Sequence, residues 1–253
     1  VVTVHDLIPL VYPGAMPNPV ARAYFRSMLL RSLARADKVI APSHSTAGDL
    51  VRHGAPHRKI EIIPIGVGGR FRPLDEKDRE RARSRYARGR PYVASVAEAR
   101  AHKNRRVLAE VAHLLPDTTF VCRGSRLRGA PGNLWFLERL SMEDLALFYA
   151  GAELLLMTSL IEGYGLPALE AAACATPVLA GRRVGVAAYL EAGVVVVDPA
   201  DPRGVATRVA GVWRDASMRR DLAEAARSAA SRLTTSGMAR ATAELYGRLP
   251  AAA

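Results

Sequence analysis

Residues 161–178, IEGYGLPALEAAACATPV, hold two carboxylates, Glu162 and Glu170, on either side of a Gly-x-Gly-x-Pro turn. Gly163 and Gly165 permit close backbone approach and unusual dihedrals. Leu166-Pro167 then starts a helix, with proline near the first turn, where its missing N–H removes no bond. The unpaired N–H groups of such a helix start form an anion site suited to a diphosphate. Glu162 lies just before the helix and Glu170 one turn inside it, so the two acids do not stack on one helical face. They can instead contact two parts of one extended ligand. A nucleotide sugar has that shape, with Glu162 at the sugar, the helix start at the phosphates and Glu170 at the ribose hydroxyls. Acids near helix N-termini are also favoured by the helix dipole alone, a reading that weighs more on Glu170 than on Glu162.

Such a turn needs a strand to deliver it. ELLLMT (153–158) reads as that strand and 166–175 as the helix that follows. The same alternation runs along the chain. Strands are expected at the start (VVTVH), at KVIAP and KIEIIPIG, and at 92–97, 118–122, 133–138, PVLA and 194–198. Helices are expected at 19–35, from SHSTAGDLVRHG, and at 103–115, 142–150, 186–191, 202–215, 217–231 and 236–248. Strands followed by helices of this length imply parallel pairing and doubly wound sheets. Ligands bind at the carboxyl ends of strands in such sheets, which singles out the loops 5–10, 98–104, 123–132 and 159–165. The stretch 66–91 is rich in Gly, Pro and charge and marks a domain boundary.

Composition limits the partners. The 253 residues carry a net charge of +12 with 49% apolar residues, a soluble composition that attracts anions. No run of about 18 apolar residues is present. Basic charge without a reader motif or stacking aromatics argues against nucleic acid. Cys122 and Cys174 sit in apolar surroundings and read as buried thiols, not as a disulfide or metal pair. The opening VVTV reads as a strand that starts inside a domain, so the chain is expected to lack what precedes it.

SLIEGYGLPALEAAACATPVLA resembles the signature of retaining glycosyltransferases of family 4. ARADKVIAPSHSTAGDLVRHG, KIEIIPIGVGGRFRP, VASVAEARAHKN and VVVVDPADP resemble further segments of that family in the same order. The form HDLIP resembles its mannosyltransferase-like branch. The resemblance implies a GT-B fold, an α/β architecture of two Rossmann-like doubly wound parallel-sheet domains facing a cleft, with the first one incomplete. The expected division is 1–68 for the partial acceptor-side domain, 69–89 for an interdomain linker, 90–233 for the nucleotide-sugar domain, and 234–253 for a helix crossing back.

The implied activity is transfer of a hexose, for instance mannose from GDP-mannose, from a nucleotide sugar to a saccharide or lipid-linked glycan. His5 would line the sugar or acceptor side and Glu162 would contact the sugar near the reacting carbon, as the catalytic pair. Lys103 would neutralise the donor diphosphate beside His102, the backbone of Gly163, Tyr164, Gly165 and Leu166 would hold sugar and phosphate, and Glu170 would bind the ribose. No cofactor and no metal are implied. The implied setting is cytoplasmic, with peripheral contact at the inner membrane face through Arg22, Arg26, Arg31 and Arg35. Several residues depart from the family pattern: Ala97 and Ala175 stand for glycines, His102 for an arginine, Ile65 for an asparagine, Gly68 for an aspartate, and Ala187-Ala188 for Pro-Glu. These motivate a non-catalytic relative that binds nucleotide sugar without transfer. An epimerase acting on nucleotide sugars is the other alternative.

Overall fold

A computed structural model describes residues 1–249; the last four positions of the expected 234–253 segment lie outside the described residues. The chain builds two parallel sheets, of three and six strands.

The first unit contains β1 (Val2–Thr3), α1 (Ile8–Val11), α2 (Pro19–Arg35), β2 (Val39–Ala41), α3 (His44–Arg52) and β3 (Ile60–Ile62). Its strands pair in parallel in the order β1-β2-β3. Side-chain caps start both longer helices: Asn18 Oδ1 accepts from the amides of Val20 and Ala21, and Ser43 Oγ from Thr46. Val4, Leu7, Leu33, Val39 and Leu50 form the small core. The helix expected over 19–35 is present as α2, and Leu33 is its one buried side chain. Val20, Tyr24 and Met28 remain exposed beside Arg26 and Arg31.

The second unit begins inside the stretch read as a linker. Helix α4 (Glu76–Ala87) is capped by Asp75, which accepts from the Asp78 amide, and ends at a left-handed Arg88. Its apolar face is only Ala82, Tyr86 and Ala87, too sparse to show as a rhythm among so many charges. That face nevertheless packs into the second unit's core with Tyr92, Phe148 and Tyr149. Glu153 accepts from Arg83 and pairs with Arg79 and Arg219, tying the charged side of α4 to the same unit.

Beyond it follow β4 (Val93–Val96), α5 (Arg105–Leu114), β5 (Phe120–Arg123), β6 (Leu134–Leu137), α6 (Met142–Ala150) and β7 (Leu154–Met157). Then come α7 (Leu166–Ala173), β8 (Val178–Gly181), α8 (Ala187–Leu190), β9 (Val194–Val197), α9 (Pro202–Arg214) and α10 (Ala216–Ser231). The strand order is β6-β5-β4-β7-β8-β9, every pair parallel. Alternate strand residues face opposite layers. Ala94, Leu155, Met157 and Val178 pack against α6, α7 and α10, while Val93, Leu154, Leu156 and Leu179 pack against α5 and α9. Burial on both faces explains why these strands read as continuous apolar runs.

Helix α11 (Thr235–Gly247) returns to the first unit, where Leu245 is fully buried with Ile40 and Ile63. The two chain crossings run side by side: the Val67 amide donates to Leu233 O, and Thr235 Oγ1 donates to Val67 O. A Cβ at Gly66 would fall 2.1 Å from the Thr234 backbone, so this crossing requires glycine.

Candidate active site

The sheet order reverses direction between β4 and β7. Loops leaving those neighbouring strands diverge there and leave a crevice at their carboxyl ends. A cleft of about 440 Å³ occupies this place, lined by Val96, His102, Lys103, Arg123, Glu162 and Pro167, with Asp6 and Ile8 contributed by the first unit.

After β4, residues Ala101–Lys103 form a short 3-10 turn, and Asn104 takes a left-handed conformation before α5 begins. The expected helix start at 103 is therefore displaced by two residues. Asn104 Nδ2 anchors the bend on Pro199 O, and Thr158 Oγ1, just past β7, donates to Lys103 O. These bonds aim Lys103 at Glu162: its Nζ donates to Glu162 Oε1 at 2.6 Å, with both side chains largely buried. The pair is thus a charge-assisted hydrogen bond in a partly desolvated cleft.

His102 is buried against the cleft and its Nδ1 has no hydrogen-bond partner among the described residues. Burial lowers its pKa, opposed by the nearby Glu162 carboxylate, so the ring is neutral at pH 7. Its backbone carbonyl accepts from Leu160, which joins the two loops.

The glycine turn is fixed from both units. The Glu162 amide donates to Arg183 O. Gly163 O receives two hydroxyls from the first unit, Ser43 Oγ at 2.6 Å and Thr46 Oγ1 at 3.1 Å. A side chain at 163 would strike His5 O and Asp6, and one at 165 would strike Val184. Gly165 has φ +95° and caps α7 in the left-handed region, which glycine adopts without strain. The amides of Gly163, Tyr164 and Gly165 find no acceptor among the described residues, leaving a set of donors at the helix start.

The remaining expected residues fall as follows. The Tyr164 side chain is buried and donates to Ile65 O across the domain boundary, so it braces the turn and only its backbone remains for a ligand. Leu166 is exposed at the start of α7. Glu170 accepts from the buried Tyr149 hydroxyl at 3.0 Å; burial raises its pKa, and that bond and Arg123 oppose the rise. Glu170 does not line the cleft with Lys103 and Glu162. His5 also lies outside the cleft lining: its side chain is exposed, its carbonyl accepts from Thr46, and Asp6 faces the cleft in its place.

Sequence reasoning missed Arg123, Ser43 and Thr46. Arg123 ends β5 and pairs with Glu98 at 3.1 Å; a lone cation closing an apolar strand at its carboxyl end was the available signal. Ser43 read only as a helix cap, because its second role depends on a loop 120 residues away.

The described residues contain no group of three or more His, Cys, Asp or Glu arranged to hold a metal ion, and no helix long and apolar enough to cross a membrane.

The family model described as glycosyl transferases group 1 matches residues 76–229, and that described as glycosyltransferase family 4 matches residues 1–68. The chain is 29% identical to a D-inositol 3-phosphate glycosyltransferase of Salinispora arenicola, over 94% of this chain and 60% of the relative. It is 24% identical to the O-antigen chain mannosyltransferase RfbU of Salmonella typhimurium, over 80% of this chain and 57% of the relative. It thus spans about 60% of the length of these relatives. Among solved structures, Anabaena HepE in complex with UDP and glucose superposes with a TM-score of 0.84 at 19% identity, covering 98% of this chain and 71% of that one. Sucrose-phosphate synthase of Thermosynechococcus elongatus superposes with 0.82 at 22% identity, covering 97% and 66%. The fold is GT-B, with a small first sheet.

Proposed function

The chain belongs to the glycosyl transferases group 1 family, and we propose that it serves as a retaining transferase moving a hexose from a nucleotide sugar to a glycan or lipid-linked acceptor. The observation that carries this reading is the Lys103–Glu162 pair set in the crevice between β4 and β7. A cation there meets the donor diphosphate, and an acid beside it meets the sugar hydroxyls. The bond between the anomeric carbon and the diphosphate oxygen breaks, and the acceptor hydroxyl oxygen bonds to that carbon. The acceptor proton passes to the departing phosphate. Lys103 and the free amides opening α7 stabilise the charge that develops on the leaving group. The reading calls for no cofactor or metal, because these donors supply the positive field.

Two relatives support the substrate class: one named a D-inositol 3-phosphate glycosyltransferase, one an O-antigen chain mannosyltransferase. The complexes of HepE with UDP and with UDP-glucose favour a nucleotide-sugar donor on this fold. GDP-mannose is our working donor, with peripheral membrane contact through α2, where Arg26 and Arg31 flank exposed Val20, Tyr24 and Met28.

The test is thermal denaturation with GDP, UDP and ADP and their sugar conjugates. A ligand at a hundred times its Kd stabilises by about 2.7 kcal/mol. A shift with one base, lost in Lys103→Met, is the expected result; no shift with any nucleotide overturns the reading.

A further inference from the structure

The cleft between β4 and β7 is lined by balanced charges, although the chain carries +12. Three acids, Asp6, Glu98 and Glu162, face three cations, Arg100, Lys103 and Arg123, and burial keeps His102 neutral. The cations are already engaged. Lys103 Nζ lies 2.6 Å from Glu162 Oε1, Arg123 Nη1 lies 3.1 Å from Glu98 Oε1, and Arg100 Nε lies 3.7 Å from Glu98 Oε2. A nucleotide sugar brings a negative charge on each of its phosphates. Lys103 matches one of them, and the neutral ring of His102 matches neither.

Arg123 is placed to match the other. It ends β5, the neighbour of β4, and its backbone is pinned on both sides: the Ala97 amide donates to Arg123 O, and the Gly124 amide donates to Leu137 O. The side chain thus leaves a fixed backbone, while its guanidinium stays partly exposed in the cleft. Its charge also reaches α7, where it opposes the rise that burial imposes on the pKa of Glu170. Pro167, in the first turn of α7, lines the same cleft as Arg123 and Lys103. A phosphate on the open amides of that turn therefore has a cation available from each of two loops. Glu98 is what holds Arg123 back. Its carboxylate bridges Arg123 and Arg100, so Arg123 can turn away while Glu98 keeps Arg100. Exposed ion pairs of this kind are weak in water, whereas a phosphate meets a guanidinium with two oxygens at once.

We propose that Arg123 is a second donor-phosphate residue, parked on Glu98 in the free chain and turned to the diphosphate when the donor binds, and that Glu98 sets how tightly the nucleotide is held. This rests on the transferase reading above. The second charge then comes from β5, and His102 need not supply it.

The experiment is a double-mutant cycle read by isothermal titration with GDP and with UDP. The full chain is compared with Arg123→Gln, with Glu98→Gln and with the two combined. Lys103→Met and Arg240→Gln, an exposed arginine on α11, are the controls. Arg123→Gln is expected to weaken nucleotide binding roughly tenfold or more, as the loss of a charge-assisted contact implies. Glu98→Gln should bind as tightly as the unaltered chain or more tightly, because it frees the guanidinium and removes a repelling charge. On the Glu98→Gln background Arg123→Gln should still weaken binding roughly tenfold. An ion pair that only shapes the two loops behaves otherwise: both single variants weaken binding alike, and the second substitution adds nothing to the first. That pattern overturns the proposal, as does Arg123→Gln binding like the unaltered chain. An equal loss in Arg240→Gln traces the effect to overall charge and overturns it too. If Lys103→Met loses the nucleotide while Arg123→Gln keeps it, the donor reading stands and the role of Arg123 falls. If the unaltered chain binds neither nucleotide, both fall. Unfolding midpoints check that each variant folds.

Discussion

Glu162→Gln should strengthen binding of a nucleoside diphosphate while abolishing transfer. In the free chain Lys103 is already neutralised, because its Nζ lies 2.6 Å from Glu162 Oε1. At that distance of 2.6 Å, and an effective dielectric of about 20, the attraction is about 6 kcal/mol before the cost of desolvation. The net worth of a charge-assisted hydrogen bond is smaller, about 1.5–3 kcal/mol. A diphosphate must displace Glu162 from Lys103 and then lie near its carboxylate. The neutral amide of the Glu162→Gln variant would hold the ammonium less strongly and carry no charge to repel the phosphates. The expected gain is therefore roughly ten- to a hundredfold in Kd for the nucleotide without sugar. Isothermal titration with GDP and UDP measures it, and a coupled assay for released nucleotide reports transfer. Lys103→Met is the counterpart and should lose nucleotide affinity. Weaker nucleotide binding in Glu162→Gln would refute the argument that the pair is a self-neutralised donor site.

Three further outcomes follow from particular residues. Ala175 stands at φ +56° after α7, in the left-handed region, so Ala175→Gly should stabilise by about 1 kcal/mol and raise Tm by about 2–4 °C in a calorimetric scan. His102 has its pKa lowered from 6.5 by burial, so the neutral ring favours the fold above that pH, and this contribution is lost as pH falls through the folded pKa. Urea midpoints across pH 5–8 should accordingly show a shallower acid slope in His102→Gln than in the unaltered chain. Leu245→Ala removes the α11 side chain that completes the core with Ile40 and Ile63, and should cost about 2–5 kcal/mol, read from urea unfolding.

The strands of the second sheet were legible because they are buried on both faces and bounded by turn residues. The crevice residues were legible for a different reason: Lys103 and Glu162 sit on loops that leave the carboxyl ends of strands, and the glycine turn announces its own geometry. What the sequence hid depends on distant contacts. Tyr164 stands beside two glycines like a ligand residue, yet its ring is buried and its hydroxyl is used by Ile65. His5 closes the segment read as a strand, but β1 ends at Thr3, and the Gly163 turn packs against the His5 carbonyl and leaves Asp6 facing the cleft. Helix α4 was hidden by its own charge, since alanines and one tyrosine suffice where Gly151 lets the neighbouring chain approach closely. Likewise α2 shows helical apolar spacing, but the described residues bury only Leu33 of it.

The return of α11 has a consequence for how the chain is made. Ile40 and Ile63 leave the ribosome before the six-stranded unit does, whereas Leu245, which covers them, leaves after it. The face of the small sheet that carries Ile40 and Ile63 is covered only after that whole unit has been synthesised, and contacts so far apart in sequence form slowly. During that interval its apolar surface stays open to solvent and to other nascent chains. The six-stranded unit closes its two layers with α9 and α10, which follow β9 directly. Synthesis therefore completes the six-stranded unit before the outer face of the three-stranded sheet is covered.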